Sequence, residues 1–340
     1  MNIKTEKLIT GFYDQLQSGI KSGMRVKLNT ASYRNFNDLV ICGMGGSALP
    51  GDILKSWRFY LKKLNKNIVI HKNYRLPDSI KRTRRSLIIC ISYSGNTEET
   101  INAYQESIRH KYSTIAVTSG GKLAQLAKKN KKPFILVPPG IPPRFALGYQ
   151  LGAIIGLFAE ANLISAKEKN SILKSARKIK YSAIKKLSLS ASRKISDRIP
   201  VIYASEANKA LAYLFKINFN ENTKIPAFIN FFPELNHNEF NSFAVLSKKQ
   251  KRFIKNLSVI VLKDKKDIPE IIRRIRVTEL FIKRSGVKLL EVKLDQTSIF
   301  EKTFYCLILG QWISIFLAQK YGVNPLPTDL IERFKKELNK

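Results

Sequence analysis

The chain has 340 residues, enough for two domains of ordinary size at about 150 residues each. Its composition is 44% hydrophobic and 25% charged, which gives no reason to expect long disordered segments. The formal net charge of +35 attracts anions in general but does not choose among nucleic acid, acidic lipid and phosphorylated metabolites. Because the basic residues are scattered and no nucleic-acid module is recognisable, we expect no specific nucleic-acid partner.

The cysteines and the apolar segments narrow the class further. Cys42, Cys90 and Cys306 lie far apart without a CxxC or Cys/His cluster, so neither a zinc site nor a disulfide framework is predicted. Two uncharged stretches, 145–159 and 303–319, fall short of the roughly 20 residues that a membrane span needs, and we interpret them as buried core helices. With no signal-peptide pattern at the N-terminus, these features predict a cytoplasmic protein that uses no metal or other cofactor and no membrane.

Short apolar strands alternate with helical segments over the first 150 residues. The predicted strands are 38–42, 67–70, 86–91, 113–117 and 134–137. The predicted helices cover roughly 47–61, 96–110 and 122–129. Continuous β-branched runs are typical of parallel strands covered on both faces, and the βαβ order predicts a doubly wound sheet.

A second α/β series follows a Lys-rich helical segment. Its predicted elements are strands at 199–204, 242–246, 257–262 and 287–292, and helices at 267–284, 298–319 and 328–338. We therefore predict an α/β fold of two doubly wound sandwich domains with mainly parallel sheets. The predicted boundaries are a first domain at 1–163, a connecting helical segment at 164–196 and a second domain at 197–340.

A glycine-rich loop follows the first predicted strand and opens a helix. Glycines in the segment 42–52 (CGMGGSALPGD) permit tight turning, and the free N–H groups of a helix N-terminus suit an anion. The pattern Gly43-x-Gly45-x-x-Ala48 also fits a loose dinucleotide fingerprint. That reading requires an acidic residue at the end of the second strand, where the sequence is IVIHKN, so a phosphate site is favoured.

A second loop of the same kind follows the third predicted strand. In 91–100 (ISYSGNTEET), Ser92, Ser94 and Thr97 can place three hydroxyls around one helix N-terminus. A single hydroxyl at that position would be an ordinary helix cap. Three of them, beside another glycine-rich loop, predict a cradle for a phosphate dianion.

The segments GMGGSALPGD and SYSGNTEET resemble the two phosphate loops of SIS (sugar isomerase) domains, and in particular those of the bifunctional phosphoglucose/phosphomannose isomerase family. The resemblance implies two SIS domains per subunit, of which only the first carries the loops, and a homodimer. It also implies that the sugar phosphate is bound by Gly45, Gly46, Ser47, Ser92, Ser94 and Thr97. The sequence Ala48-Leu49-Pro50 departs from the family pattern, which bears on the start of the helix rather than on the phosphate site.

Two further segments resemble the catalytic motifs of that family. The stretch 218–228 (NFNENTKIPAF) implies Glu221 as the base that moves a proton, and 232–240 (FPELNHNEF) implies His237 as a ring-opening group that reaches into the partner subunit's site. Carboxylates and histidines both suit such proton transfers. Glu234 and Glu239 stay open as alternative bases.

Arg144 and the C-terminal helix complete the implied site. The segment PPRFALGY resembles the family segment whose arginine stabilises the enediolate, a role that suits the permanent charge of Arg144. In the terminal helix, the resemblance implies Lys335 for ring opening and Thr328 for accepting mannose stereochemistry. Thr328 and Lys335 are seven residues apart and therefore share a helix face. Lys336 is an adjacent alternative.

The implied function is an aldose–ketose isomerase that interconverts glucose 6-phosphate and fructose 6-phosphate, with mannose 6-phosphate as a second substrate. One alternative is a different SIS isomerase that acts on another phosphosugar. A second is a non-catalytic SIS sensor that binds a phosphosugar. A sensor needs the cradle but has no need of Glu221, His237 and Arg144 together.

Overall fold

The structure, a computed structural model, describes residues 3–28, 33, 35–64, 66–80, 85–244 and 247–338. Residue contacts divide the chain into two compact units, Glu6–Ile179 and Lys180–Lys340 with Met1–Thr5. Each unit contains its own parallel sheet, as the order of strands and helices in the sequence predicts. The helical segment 164–196 consists of two helices, α7 (Ala166–Arg177) and α8 (Tyr181–Ile195).

The sheet of the Glu6–Ile179 unit has five strands in the order β2-β1-β3-β4-β5, all paired in parallel. The strands are β1 (Asp38–Gly43), β2 (Asn67–His71), β3 (Ser86–Ile91), β4 (Ser113–Thr118) and β5 (Phe134–Leu136). The central strands β1 and β3 are buried along their whole length, which explains why their sequences are apolar without alternation. All five predicted strands are confirmed.

The helices of this part of the chain include two that the sequence did not predict, α1 and α2. In chain order, the helices of this part are α1 (Ile3–Thr10), α2 (Phe12–Met24), α3 (Leu49–Trp57), α4 (Glu98–Arg109), α5 (Gly121–Lys129), α6 (Leu147–Glu160) and α7. Helix α2 lies against α6 at backbone contact distance: a Cβ on Gly152 would lie 2.3 Å from the carbonyl oxygen of Leu16, and a Cβ on Gly23 only 2.1 Å from that of Ala153. Glycine is therefore required at this helix contact.

The sheet of the second unit has four parallel strands in the order β7-β6-β8-β9. The strands are β6 (Ile199–Ser205), β7 (Phe228–Phe232), β8 (Leu257–Asp264) and β9 (Lys288–Leu294). The helices, after α8, are α9 (Lys209–Asn218), α10 (Lys248–Ile254), α11 (Pro269–Ser285), α12 (Ile299–Lys320) and α13 (Asp329–Leu338). Helix α12 contacts both α8 and α9 and is buried over most of its length.

The predicted strand at 242–246 is wrong. Residues Glu239–Ala244 form a 3₁₀ helix, and 245–246 lie outside the described residues. Among the described residues of the predicted strand, Phe243 is buried whereas Ser242 and Ala244 are exposed. The fourth strand of this sheet is instead β7, whose run FINFF pairs with β6.

The two uncharged stretches form buried core helices, as predicted. Both α6 and α12 have most of their residues buried. Among the helices in the described part of the chain, none is long and apolar enough to cross a membrane.

Candidate active site

The two phosphate loops begin at the same edge of the first sheet. Strands β1 and β3 are parallel neighbours, and Gly43 at the end of β1 pairs with Ile91 at the end of β3. Both strands therefore end at the carboxyl edge of the sheet, where open α/β sheets bind ligands.

The first loop is a tight turn closed by its own backbone, since the N–H of Ser47 donates to the carbonyl oxygen of Met44 at 2.9 Å. Gly45–Ser47 form one 3₁₀ turn ahead of α3, and Gly45 has φ +49°, a conformation that favours glycine. Ser47 is buried, and its hydroxyl oxygen accepts a hydrogen bond from the backbone N–H of Tyr93 at 3.2 Å. This bond joins the first loop to the second.

The second loop is organised around the buried hydroxyl of Ser92. That hydroxyl accepts from the N–H of Gly95 at 3.1 Å and donates to the hydroxyl of Thr97 at 2.8 Å. Thr97 directly precedes α4 but makes no side-chain capping bond to it, so the ordinary helix-cap role does not account for its hydroxyl. Ser94 is exposed and accepts from the N–H of Asn96 at 3.3 Å. Ser94 and Thr97 thus lie at the surface of the loop, and the buried Ser92 hydroxyl fixes the backbone beneath them.

A third loop, which the sequence reading missed, packs against the second. It follows β4 and opens α5 with Ser119-Gly120-Gly121-Lys122. The N–H of Lys122 donates to the side-chain oxygen of Asn96 at 3.0 Å, and a Cβ on Gly95 would lie only 1.8 Å from the carbonyl oxygen of Gly120. The repeated order of strand, Ser/Gly loop and helix was the signal that could have found it.

Arg144 lies beside the first loop. It occupies a 3₁₀ turn, Pro143–Phe145, that follows β5, and only 2% of the residue is exposed. A Cβ on Gly46 would approach the backbone nitrogen of Arg144 to 3.0 Å, so glycine at this position allows the close contact. The guanidinium carbon lies 5.3 Å from the ring centroid of Phe145. The structure therefore brings the predicted cradle residues and Arg144 together in one unit.

In the second unit, Glu221 lies on a π-helical turn that extends α9. This turn, Phe219–Thr223, is fixed to α12 through Ser314. The side-chain amide of Asn222 donates to the hydroxyl of Ser314 at 2.9 Å, and the Thr223 hydroxyl donates to the carbonyl oxygen of Ser314 at 3.1 Å. Asn222 and Thr223 are buried, whereas Glu221 is partly exposed. Single π turns occur often at functional sites because they re-aim a side chain within a helix.

His237 lies on an exposed segment after β7. The backbone N–H of His237 donates to the carbonyl oxygen of Glu234 at 2.9 Å and closes the 3₁₀ turn Glu234–Asn236. The side chain of His237 is exposed. The buried side chain of Leu235 anchors the segment. The ring of His237 is therefore accessible to solvent on a backbone that is fixed in place.

The two alternative bases already hold partners. Glu239 accepts hydrogen bonds from the hydroxyl of Tyr203 at 2.5 Å and from the side-chain amide of Asn230. Burial, together with the bond to Glu239, raises the pKa of Tyr203 well above its usual value, which keeps this donor protonated. Glu234 accepts from the side-chain amide of Asn238 at 2.9 Å. These contacts favour a structural role for Glu239 and Glu234.

The segment before α13 lies next to the Glu221 turn. Lys224, at the end of that turn, donates through Nζ to the carbonyl oxygens of both Glu221 and Pro327, and Pro327 directly precedes Thr328. The carbonyl oxygen of Thr328 in turn accepts from the N–H of Glu332. Lys224 thus joins two segments that the sequence reading treated separately.

Lys335 lies further along α13. It is exposed and pairs with Glu332 at 2.7 Å, one turn earlier on the helix. The neighbouring Lys336 is also exposed, so the geometry does not separate the two lysines.

Metal-ligating side chains do not converge anywhere in the described part of the chain. Across the described residues there is no group of three or more His, Cys, Asp or Glu side chains that could hold a metal ion. The three cysteines are free and buried. Burial raises the pKa of the Cys306 thiol to about 12, so this thiol stays protonated at neutral pH.

Comparison with known proteins identifies the family. A chain from Aquifex aeolicus (strain VF5) named bifunctional phosphoglucose/phosphomannose isomerase is 31% identical over 336 residues, covering 98% of each chain. The present chain belongs to the bifunctional phosphoglucose/phosphomannose isomerase family. The family model described as bacterial phospho-glucose isomerase C-terminal SIS domain also matches residues 184–338 of this isomerase-family chain.

Two further proteins, one solved structure and one curated relative, are similar to this chain. The C-terminal domain of glucosamine-fructose-6-phosphate aminotransferase from Francisella tularensis superposes with a TM-score of 0.70 at 14% identity, covering 95% of this chain and 98% of that one, which shows the fold alone. A D-glucosamine-6-phosphate 4-epimerase from Sulfolobus acidocaldarius is 29% identical over 229 residues, 66% of this chain and 68% of that one. Together with the two parallel sheets, these relationships confirm the predicted SIS-type α/β fold.

Proposed function

We propose that this chain interconverts glucose 6-phosphate and fructose 6-phosphate, and also accepts mannose 6-phosphate, by proton transfer through an enediolate. The observation that carries the proposal is the hydrogen bond from Tyr93 to Ser47, which joins two hydroxyl-bearing loops at one sheet edge. Hydroxyl and amide donors at helix N-termini suit a phosphate dianion. Membership of the isomerase family supports a hexose as the sugar that carries this phosphate.

The six loop residues Gly45, Gly46, Ser47, Ser92, Ser94 and Thr97 form the phosphate site in this proposal, with the buried Ser92 as its support. The glycines contribute backbone N–H groups, and the absence of a side chain at Gly46 lets Arg144 lie close to this loop. Ser94 and Thr97 contribute hydroxyls at the loop surface, while the buried Ser92 holds Thr97 in position. The phosphate thereby fixes one end of the sugar chain.

Proton transfer between C1 and C2 is assigned to Glu221. A base needs a fixed position relative to the carbon from which it removes the proton. The buried contacts of Asn222 and Thr223 with Ser314 provide that for the Glu221 turn. Arg144 stabilises the negative charge of the enediolate, a task for which a buried, permanently charged guanidinium is well suited.

Ring opening is assigned to His237 and Lys335, and tolerance of mannose stereochemistry to Thr328. The exposed ring of His237 supports a homodimer in which this histidine serves the site of the partner subunit. We expect the reaction to take place in the cytoplasm and to contribute to glycolysis and gluconeogenesis, since its substrates are the hexose 6-phosphates of those routes.

A coupled assay tests the function directly. Purified protein is given glucose 6-phosphate, mannose 6-phosphate and glucosamine 6-phosphate in turn, and formation of fructose 6-phosphate or of a 4-epimer is measured. We expect fructose 6-phosphate from the first two and no 4-epimer from the third. Epimerisation without isomerisation would favour the activity named for the Sulfolobus acidocaldarius relative, and binding without turnover or C2 proton exchange would favour a phosphosugar sensor.

A further inference from the structure

Tyr93 lies between two cradle hydroxyls, yet its side chain points into the protein. The residue is 5% exposed, whereas the neighbouring Ser94 is exposed. A phenol buried in a ligand-binding loop needs a hydrogen-bond partner, because an unsatisfied buried hydroxyl is costly. The identity of that partner indicates what the side chain does.

The backbone of Tyr93 joins the three loops at the sheet edge. Its N–H donates to the hydroxyl of Ser47 in the first loop at 3.2 Å. Its carbonyl oxygen accepts from the N–H of Ser119 at 2.9 Å and from the Ser119 hydroxyl at 2.6 Å in the third loop. These bonds fix the residue from which the phenol extends.

The phenol reaches a fourth segment, the turn that leads to Arg144. Its hydroxyl donates to the carbonyl oxygen of Pro138 at 2.6 Å. The backbone of Ile141 lies close enough to influence the same hydroxyl. Burial raises the pKa of this phenol above its usual value of 10, so the donor stays protonated at neutral pH. The phenol is therefore bonded to the start of the turn 138–141, and it lies near the end of that turn at Ile141.

The chain between this turn and Arg144 is stiff. Pro142 and Pro143 follow Ile141, and the fixed φ of proline limits how far Arg144 can move independently of the turn. Within the turn, Gly140 has φ +94°, a conformation that favours glycine. Any shift of the turn is consequently passed on to Arg144.

We propose that the hydroxyl of Tyr93 is a positioning group that sets Arg144 relative to the phosphate cradle. The inference rests on the proposed function, in which Arg144 stabilises the enediolate. Tyr93 touches no reacting atom: it acts by tying the phosphate-binding loop to the segment that carries the arginine. A displacement of about 1 Å in such a group can reduce a rate by about 100-fold.

The test is Tyr93→Phe, which keeps the ring and removes the hydroxyl. We expect kcat to fall between about 10-fold and 100-fold. The inhibition constant of inorganic phosphate should stay within about twofold of wild type, because the backbone bonds of Tyr93 to the cradle are retained. The matched control is Tyr112→Phe, which removes a buried hydroxyl that donates to the carbonyl oxygen of Ile80 at 3.2 Å, away from the cradle. Its kcat should be that of wild type, and both variants are assayed well below their own Tm.

A double-mutant cycle then asks whether Tyr93 acts through Arg144. In an Arg144→Lys background, Tyr93→Phe should cost much less than in the wild-type background, because the group that it positions is already altered. Three results would overturn the inference: an unchanged kcat, an equal loss in both backgrounds, or a phosphate inhibition constant that rises in step with the loss of kcat. A wild-type kcat for Arg144→Lys alone would instead count against the proposed role of Arg144.

Discussion

The Ser92 hydroxyl donates a hydrogen bond to the Thr97 hydroxyl across 2.8 Å. Ser92 is completely buried, whereas Thr97 is partly exposed and does not cap the helix that it precedes. The two hydroxyls therefore have different tasks. Ser92 orients Thr97 and supports the loop. Thr97 and Ser94 lie at the surface, where the proposed phosphate group would bind.

Removing the surface hydroxyls should weaken substrate and inorganic phosphate together. Two hydrogen bonds to a charged group, at about 1.5 kcal/mol each, correspond to about a 100-fold change in Kd. We therefore expect the Ser94→Ala, Thr97→Ala double variant to raise both dissociation constants by about that factor, as measured by calorimetry. The control is Ser56→Ala, which loses only an intrahelical bond to Ile53 in α3 and should bind normally. Unchanged substrate affinity in the double variant would remove the phosphate assignment.

The contact between α2 and α6 should be intolerant of side chains. In Gly152→Ala the new methyl would lie 2.3 Å from the carbonyl oxygen of Leu16, so the helices must move apart. We expect the free energy of unfolding to fall by about 1–3 kcal/mol, the usual cost of overpacking. Gly310→Ala in α12 is the control, since its nearest neighbour would lie at an ordinary 3.4 Å. Denaturant titration compares them, and equal stabilities would show that the helix contact is not tight.

Acid should weaken the second unit through Glu291. Lys283 and Lys263 donate to this carboxylate and lower its pKa to about 2. Because the folded pKa lies below the ordinary value of 4.5, the ionised carboxylate stabilises the fold above about pH 4.5, and this contribution is lost as the pH falls towards 2. The difference in Tm between wild type and Glu291→Gln should therefore be full at pH 6 and close to zero at pH 2.

The control for this acid effect is Glu206→Gln. Glu206 pairs with Lys209 on an exposed helix start, where solvent screens the interaction. Its substitution should leave Tm almost unchanged at every pH. A Glu291→Gln difference that stays constant from pH 6 to pH 2 would show that the carboxylate acts through packing rather than charge.

Most of the fold could be predicted because its strands are buried on both faces. β1 and β3 are recognisable from apolar runs alone, and their following loops carry the glycines and hydroxyls of the cradle. The strand at 242–246 was wrong because a mostly apolar run such as SFAVL does not distinguish a strand from a helical turn: its described residues belong to the 3₁₀ helix Glu239–Ala244. Helix α2 was missed although Phe12, Leu16 and Ile20 recur at four-residue spacing, a helical pattern. Its glycine contact with α6 depends on the fold and has no signature in the segment itself.

The site could be predicted only as far as separate motifs allow. The cradle residues were found because they are close in sequence to their own strands. The links between segments were not: Tyr93 to Pro138, Lys224 to Pro327 and Tyr203 to Glu239 join residues 36 to 103 positions apart. Such contacts depend on the fold and have no signature within either segment.

Activity should not depend on a divalent cation. The proposed mechanism moves protons with Glu221 and stabilises charge with Arg144, and neither step calls for a metal. We expect wild-type turnover of glucose 6-phosphate after dialysis against a chelator, measured in a coupled assay that is itself free of metal-dependent steps. Activity that returns only when zinc or another divalent ion is added would contradict the proton-transfer mechanism.

The most direct test of the account is exchange of the substrate C2 proton with deuterated solvent in Glu221→Gln. The substitution keeps size and hydrogen bonding but removes the base, so exchange and turnover should both fall by about 100-fold or more while phosphate binding is retained. Glu234→Gln, whose carboxylate is bonded to Asn238, serves as the matched control and should exchange normally. Exchange at the wild-type rate in Glu221→Gln would contradict the assignment of the base on which the proposed isomerisation rests.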